Sequence, residues 1–213
     1  MINQVLPRGR RGVRHGERLT NCVRARSGQA RYNAFTLIEL ILVVGIIIVL
    51  AGLVLSTAGY ARKKGALARA ETEIAALSAA CENYKADNGI YPRDAATTDA
   101  LNAQNSGDPR ASQYQNASLY LYNTLFGATN GSRTPASGSK PCFVFKPNML
   151  FPADQTQNVQ YIQDPFGYSY GYSTIQAATQ DTTKGYNPTF DLWSTAGTTS
   201  GSTTDRNQWI KNW

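Results

Sequence analysis

From Leu40 to Leu55 the sequence reads LILVVGIIIVLAGLVL, without one polar side chain. Counted from Phe35 to Ala58, the apolar stretch is interrupted only by Thr36, Glu39, Ser56 and Thr57. That exceeds the ~20 residues a helix needs to cross the hydrocarbon core of a bilayer. In lipid the backbone must satisfy its own hydrogen bonds, so a single span of this kind is a helix. The sequence therefore predicts a transmembrane helix over 35–59. A carboxylate in such a run costs roughly 2.5–3.5 kcal/mol on insertion scales. Glu39 calls for a reason.

The net charge of +7 would ordinarily point to nucleic acid or anionic lipid. Its distribution says otherwise. Residues 1–34 hold eight arginines against one acid, Glu17, which accounts for all of it, and the remaining 13 basic residues are matched by 13 acidic ones. Nucleic acid is not expected as a partner of the folded part. Eight basic residues precede the span, and Arg62, Lys63 and Lys64 follow it. This balance favours an inside N-terminus and an outside C-terminus.

The cysteines, Cys22, Cys81 and Cys142, lack metal-site spacing, and the single histidine, His15, precedes the span. A zinc site or histidine-based catalysis is not expected. Cys81 and Cys142 can pair in an oxidising compartment or serve as two small buried hydrophobes.

Two ordinary explanations of the apolar run are a removable secretory signal, cut near Gly59-Tyr60-Ala61, and a plain anchor. The run is longer than the about 7–15 residues of a signal core, and neither explanation uses Glu39. The segment AFTLIELILVVGIIIVLAGL resembles the processing and methylation segment of type IV pilins and type II secretion pseudopilins, with Phe-Thr-Leu-Ile-Glu-Leu unbroken at 35–40. The resemblance implies a basic leader, 1–34, removed by a prepilin peptidase between Ala34 and Phe35, and N-methylation of Phe35. Glu39 then becomes the fifth mature residue, pairing with a neighbouring subunit's amino terminus during assembly. A lone carboxylate in lipid is costly, whereas one opposite an ammonium group is compensated. Ala34 stands where the family usually has glycine. The leader is long for the family, and a start near Leu19 or Val23 would shorten it.

Helical character continues past the membrane. Leu67, Ala70, Ile74, Leu77, Cys81 and Tyr84 follow three- and four-residue steps, making one apolar stripe, with Arg69, Glu71, Glu73, Glu82 and Lys85 mostly off it. Asn88-Gly89 and Pro92 end the helix. Residues 35–87 as one helix would run about 80 Å, with 60–88 an amphipathic continuation that packs on the chain's own sheet.

Residues 89–213 read as a globular head. The stretches 93–112 and 128–141 are loops, 117–126 a short helix, and CFVFK at 142–146 a strand. YIQDPFGYSYGYS at 161–173 reads as strand, turn and strand with alternating half-buried tyrosines, and FDLWSTAG at 190–197 as a further strand. YKADNGIYP at 84–92, Asp-Pro-Phe-Gly at 164–167 and Phe-Asp-Leu-Trp-Ser at 190–194 resemble the helix junction, turn and final strand of the major pseudopilins of type II secretion. The implied fold class is α+β, a pilin-like fold with a long N-terminal helix packed on a small antiparallel sheet. Major pseudopilins commonly carry calcium in the loop after the last strand. Here that loop is STAGTTSGSTTDRNQW, and Asp205 is its one carboxylate. Calcium takes six to eight oxygens, so weak or absent calcium binding is expected.

No nucleophile–base pair, phosphate loop or metal cluster is evident, and an enzyme is not expected. The resemblance implies a structural subunit that polymerises from the inner membrane into the periplasm and drives export across the outer membrane. Its partners would be copies of itself, other pseudopilins, the prepilin peptidase, the assembly platform and its ATPase, and membrane lipid. The alternatives are a type IV pilin for adhesion, motility or DNA uptake, and a tethered periplasmic binding domain that never polymerises.

Overall fold

The computed structural model describes residues 35–213. The chain divides into two compact units, the first ending at Ile48 and the second comprising Val49–Trp213. In the first, residues 35–48 are exposed throughout, and the helix α1 (Leu37–Asn88) begins there.

In the second unit α1 buries Ala70, Glu73, Ile74, Leu77, Ala80 and Cys81, while Leu67 and Tyr84 are half-buried. The helix ends as expected. Gly89 is left-handed at φ +80°, donates its N–H to the Lys85 carbonyl at 2.7 Å, and the Asn88 amide donates to the Tyr84 carbonyl.

The other elements are α2 (Ser112–Phe126), β1 (Leu150–Phe151), β2 (Tyr161–Ile162), β3 (Gly171–Ser173), α3 (Ile175–Thr179), β4 (Asp191–Ser194), α4 (Thr203–Arg206) and β5 (Ile210–Lys211). Strands β1 and β2 form one antiparallel pair, and β3-β4-β5 form an antiparallel three-stranded sheet. The main core brings Ile74, Leu77 and Cys81 of α1 against Leu121 and Leu125 of α2, with Ile162, Tyr172 and Leu192 from the strands. A second core joins Leu101, Tyr114, Trp193 and Trp209. The long helix with small antiparallel sheets is the expected α+β, pilin-like arrangement.

Three expectations need correction. Residues 142–146 form no strand. The backbone N–H groups of Cys142 and Phe143 both donate to the Leu125 carbonyl, an orphan acceptor at the end of α2. They are thereby taken from any ladder, and prolines 141 and 147 flank the segment. The short helix begins at Ser112 rather than at 117, its first turn being Ser-Gln-Tyr-Gln, polar enough to read as loop. Residues 161–173 form strand, turn and strand as expected: β2 pairs with β1, β3 pairs with β4, and the Gln163–Ser169 bridge links them across the turn. Tyr170 and Tyr172 are wholly buried rather than half-buried, donating to Glu73 Oε2 and the Pro92 carbonyl, both at 2.8 Å.

The Asp-Pro-Phe-Gly turn is organised by a buried carboxylate. Asp164 Oδ1 accepts the N–H groups of Phe166 and Tyr168 at 3.0 and 2.8 Å, and Oδ2 accepts the Ser194 hydroxyl at 2.5 Å. Burial raises the Asp164 pKa above its ordinary 3.8 despite these donors. A carboxyl so raised favours the folded state below its unfolded pKa, and that contribution is lost as pH rises through the folded value. Protonated Asp164 and asparagine offer the same hydrogen-bonding pattern. Asp164→Asn should therefore match wild type near about pH 4 and gain on it in thermal stability toward about pH 7. Melting curves of both proteins across that range check this; a difference independent of pH would contradict it.

Candidate assembly site

The first turn of α1 explains how Glu39 is held. Thr36 precedes the helix: its carbonyl accepts the Leu40 N–H at 3.2 Å, and its hydroxyl accepts the Glu39 N–H at 3.3 Å. Thr36-Leu37-Ile38-Glu39 has the spacing of a capping box, in which a threonine N-cap is followed three residues later by a glutamate. The glutamate also lies near the positive end of the helix dipole. This local role was legible in the sequence from the Thr-x-x-Glu spacing. The Glu39 side chain and Phe35 are both exposed. Ala34 and the leader lie outside the described residues.

After this turn α1 is long and apolar enough to cross a bilayer, and its apolar window is not buried within the chain. Isoleucines 46, 47 and 48 and Leu50, Leu53, Val54 and Leu55 are all exposed. Such a surface fits a membrane-anchored protein, with lipid or other helices as its surroundings.

Further along, Glu73 corrects the stripe: it is 9% exposed and faces the head. Arg69 pairs with it at 2.6 Å, and the Tyr170 hydroxyl donates to its other oxygen at 2.8 Å. Arg69 also donates to the Asn148 carbonyl. The apolar spacing alone does not reveal this position. Position 73 is adjacent to Ile74 and lies three residues from Ala70, and a carboxylate is tolerated there because each oxygen has a donor.

Cys81 and Cys142 are both free thiols, Cys81 buried in the main core and Cys142 packed at its edge. Burial pushes the Cys81 thiol pKa up, and a buried protonated thiol packs as a small hydrophobe.

The loop after β4 is poor in calcium ligands. Its carboxylate, Asp205, accepts the Ser200 hydroxyl, while its N–H donates to the Ser202 hydroxyl at 3.2 Å. The next residue is Arg206, whose guanidinium lies 5.9 Å from the Trp209 ring centroid. Among the described residues no group of three or more His, Cys, Asp or Glu comes together. One carboxylate, already engaged and followed by a fixed cation, does not fit a hard divalent ion that takes six to eight oxygens.

Residues 58–126 match the family model described as type II secretion system (T2SS), protein G. A curated relative, the type II secretion system core protein G of Klebsiella pneumoniae, is 33% identical over 84 residues, covering 39% of this chain. The matched part spans 60% of that relative's length. No solved structure matches. The matched residues take in the amphipathic half of α1 and all of α2, the helices that build the main core. With the apolar helix and small antiparallel sheets around them, the chain is similar over residues 58–126 to protein G of type II secretion systems.

Proposed function

We propose that this protein is a structural subunit of a type II secretion pseudopilus. The observation that carries the reading is the Phe-Thr-Leu-Ile-Glu-Leu sequence at the head of an exposed apolar helix, with Glu39 uncompensated by any cation in the salt bridges of the described residues. In this reading a prepilin peptidase removes residues 1–34 by cutting between Ala34 and Phe35, then methylates the new amine. Both halves of the Thr36–Glu39 cap lie after the cut, so the helix start survives processing. Residues 35–59 anchor the subunit in the inner membrane, with residues 89–213 as a periplasmic head. Glu39 pairs with the Phe35 amine of a neighbouring copy, which relieves the desolvation that each subunit alone carries. Copies of this chain and other pseudopilins form the filament, and the assembly platform and its ATPase supply work to move exported proteins through the outer membrane. The chain's own contribution is mechanical rather than catalytic.

The direct test is N-terminal sequencing and intact mass of full-length protein expressed with and without a prepilin peptidase. Peptidase-dependent loss of residues 1–34 and one added methyl group on Phe35 are expected. A mature chain starting after Ala61 would replace this account with ordinary secretion, and a chain left uncut by the peptidase would remove the amine on which the Glu39 pairing depends.

A further inference from the structure

We infer that the C-terminal loop is closed by a latch made of the chain's own side chains, so that the head holds its shape independently of calcium. In a loop rich in carboxylates, a divalent ion neutralises charge and ties distant segments together. Residues 195–209 contain one acid, Asp205, and one base, Arg206, leaving no surplus charge to neutralise. The ties are present in another form. The Trp209 indole lies nearly parallel to that of Trp193, with 6.0 Å between centroids and 11° between planes. Its Nε1–H donates to the Thr198 hydroxyl at 3.2 Å, and Thr198 donates in turn to the Thr195 carbonyl at 2.8 Å. The end of the loop is thus bonded to its beginning. Between them Ser200 donates to Asp205, and Ser202 caps α4.

A backbone contact holds the same loop against residues 101–110. Gly201 is left-handed at φ +63°, and a Cβ placed on it would overlap the Gly107 backbone; a Cβ on Gly107 would overlap Gly201. Two glycines therefore allow main chain to meet main chain. The second core continues the closure, since Trp193 donates to the Tyr114 hydroxyl at 3.1 Å and Tyr114 to the Ser106 carbonyl at 2.7 Å. The aromatic stack and its hydrogen bonds connect β4, the loop and the 101–110 segment, which is the work a bound ion would otherwise do.

The test uses full-length protein in detergent micelles, with thermal unfolding followed by near-ultraviolet circular dichroism of the tryptophans. Wild type should melt within about 1 °C in calcium chloride and in excess EDTA, since a ligand that does not bind shifts nothing. Trp209→Ala should lower the Tm by roughly 10 °C and Thr198→Val by roughly 2–4 °C, with neither loss restored by calcium. Should Trp209→Ala fail to fold, Thr198→Val still reports. A calcium-dependent rise of several degrees in wild type that Asp205→Asn removes would overturn the inference. So would a Thr198→Val protein with wild-type Tm. These readouts need neither leader removal nor polymerisation, so the latch and the filament reading fail separately.

Discussion

Glu39→Leu should abolish filament formation while leaving membrane insertion intact. The change removes a carboxylate from an apolar run, which makes insertion easier. It keeps the observed cap, because the Thr36 hydroxyl accepts the backbone N–H of residue 39, and removes the carboxylate's interaction with the helix dipole, worth about 0.3–1 kcal/mol. If the dipole interaction were its whole purpose, Glu39→Leu would only weaken the first turn of α1. In the proposed filament the loss is larger. Removing one partner of a desolvated ion pair leaves the other charge buried and alone, at about 3–5 kcal/mol per contact, or roughly 10²–10⁴ in each association constant. Thr36→Ala separates the two roles. It disrupts the cap but keeps the carboxylate, and it should assemble within a few-fold of wild type. The measurement is filament yield beside membrane fractionation for both variants. Equal and mild effects of the two substitutions would leave Glu39 with a local role at the helix start alone.

Features governed by local chemistry were readable from the sequence. The apolar run, the Asn88-Gly89 stop and the Asp-Pro-Phe-Gly turn each depend on residues that are neighbours in the chain, and the structure contains each of them. What escaped depended on partners far away. Cys142 and Phe143 look like strand residues until the Leu125 carbonyl claims their backbone N–H groups. Glu73 looks like a solvated residue until Tyr170, 97 positions later, supplies its second donor. The short helices α3 and α4 and the strand β5 are too brief to leave a periodic signal, and β5 exists only as the partner of Trp193 and Ser194 in β4. At the assembly site, the Phe-Thr-Leu-Ile-Glu-Leu stretch was visible as a motif, yet the cap inside it was overshadowed by the cost of burying a carboxylate.

Gly171→Ala should be among the most damaging single-methyl additions in the head. Gly171 lies opposite Trp193 in the β3–β4 pair, and a Cβ on Gly171 would overlap the indole ring. A flexible neighbour could move aside, but Trp193 cannot. It is wholly buried, edge-on to Tyr114 at 5.5 Å, stacked with Trp209, and 5.9 Å from Trp213, with its Nε1–H committed to Tyr114. Glycine in a strand interior marks such a close approach. Overpacking of this kind costs typically about 1–3 kcal/mol, and Trp193→Ala, which empties the same space, about 3–5 kcal/mol. At roughly 2–4 °C per kcal/mol for a chain of this size, both shifts are measurable by thermal melting. The double variant gives the sharper result. With the indole gone, the added methyl enters empty space, so Gly171→Ala should cost almost nothing in the Trp193→Ala background, a coupling of about the full single-variant penalty. Additive losses would mean that the glycine serves its own backbone, and that the indole does not require it.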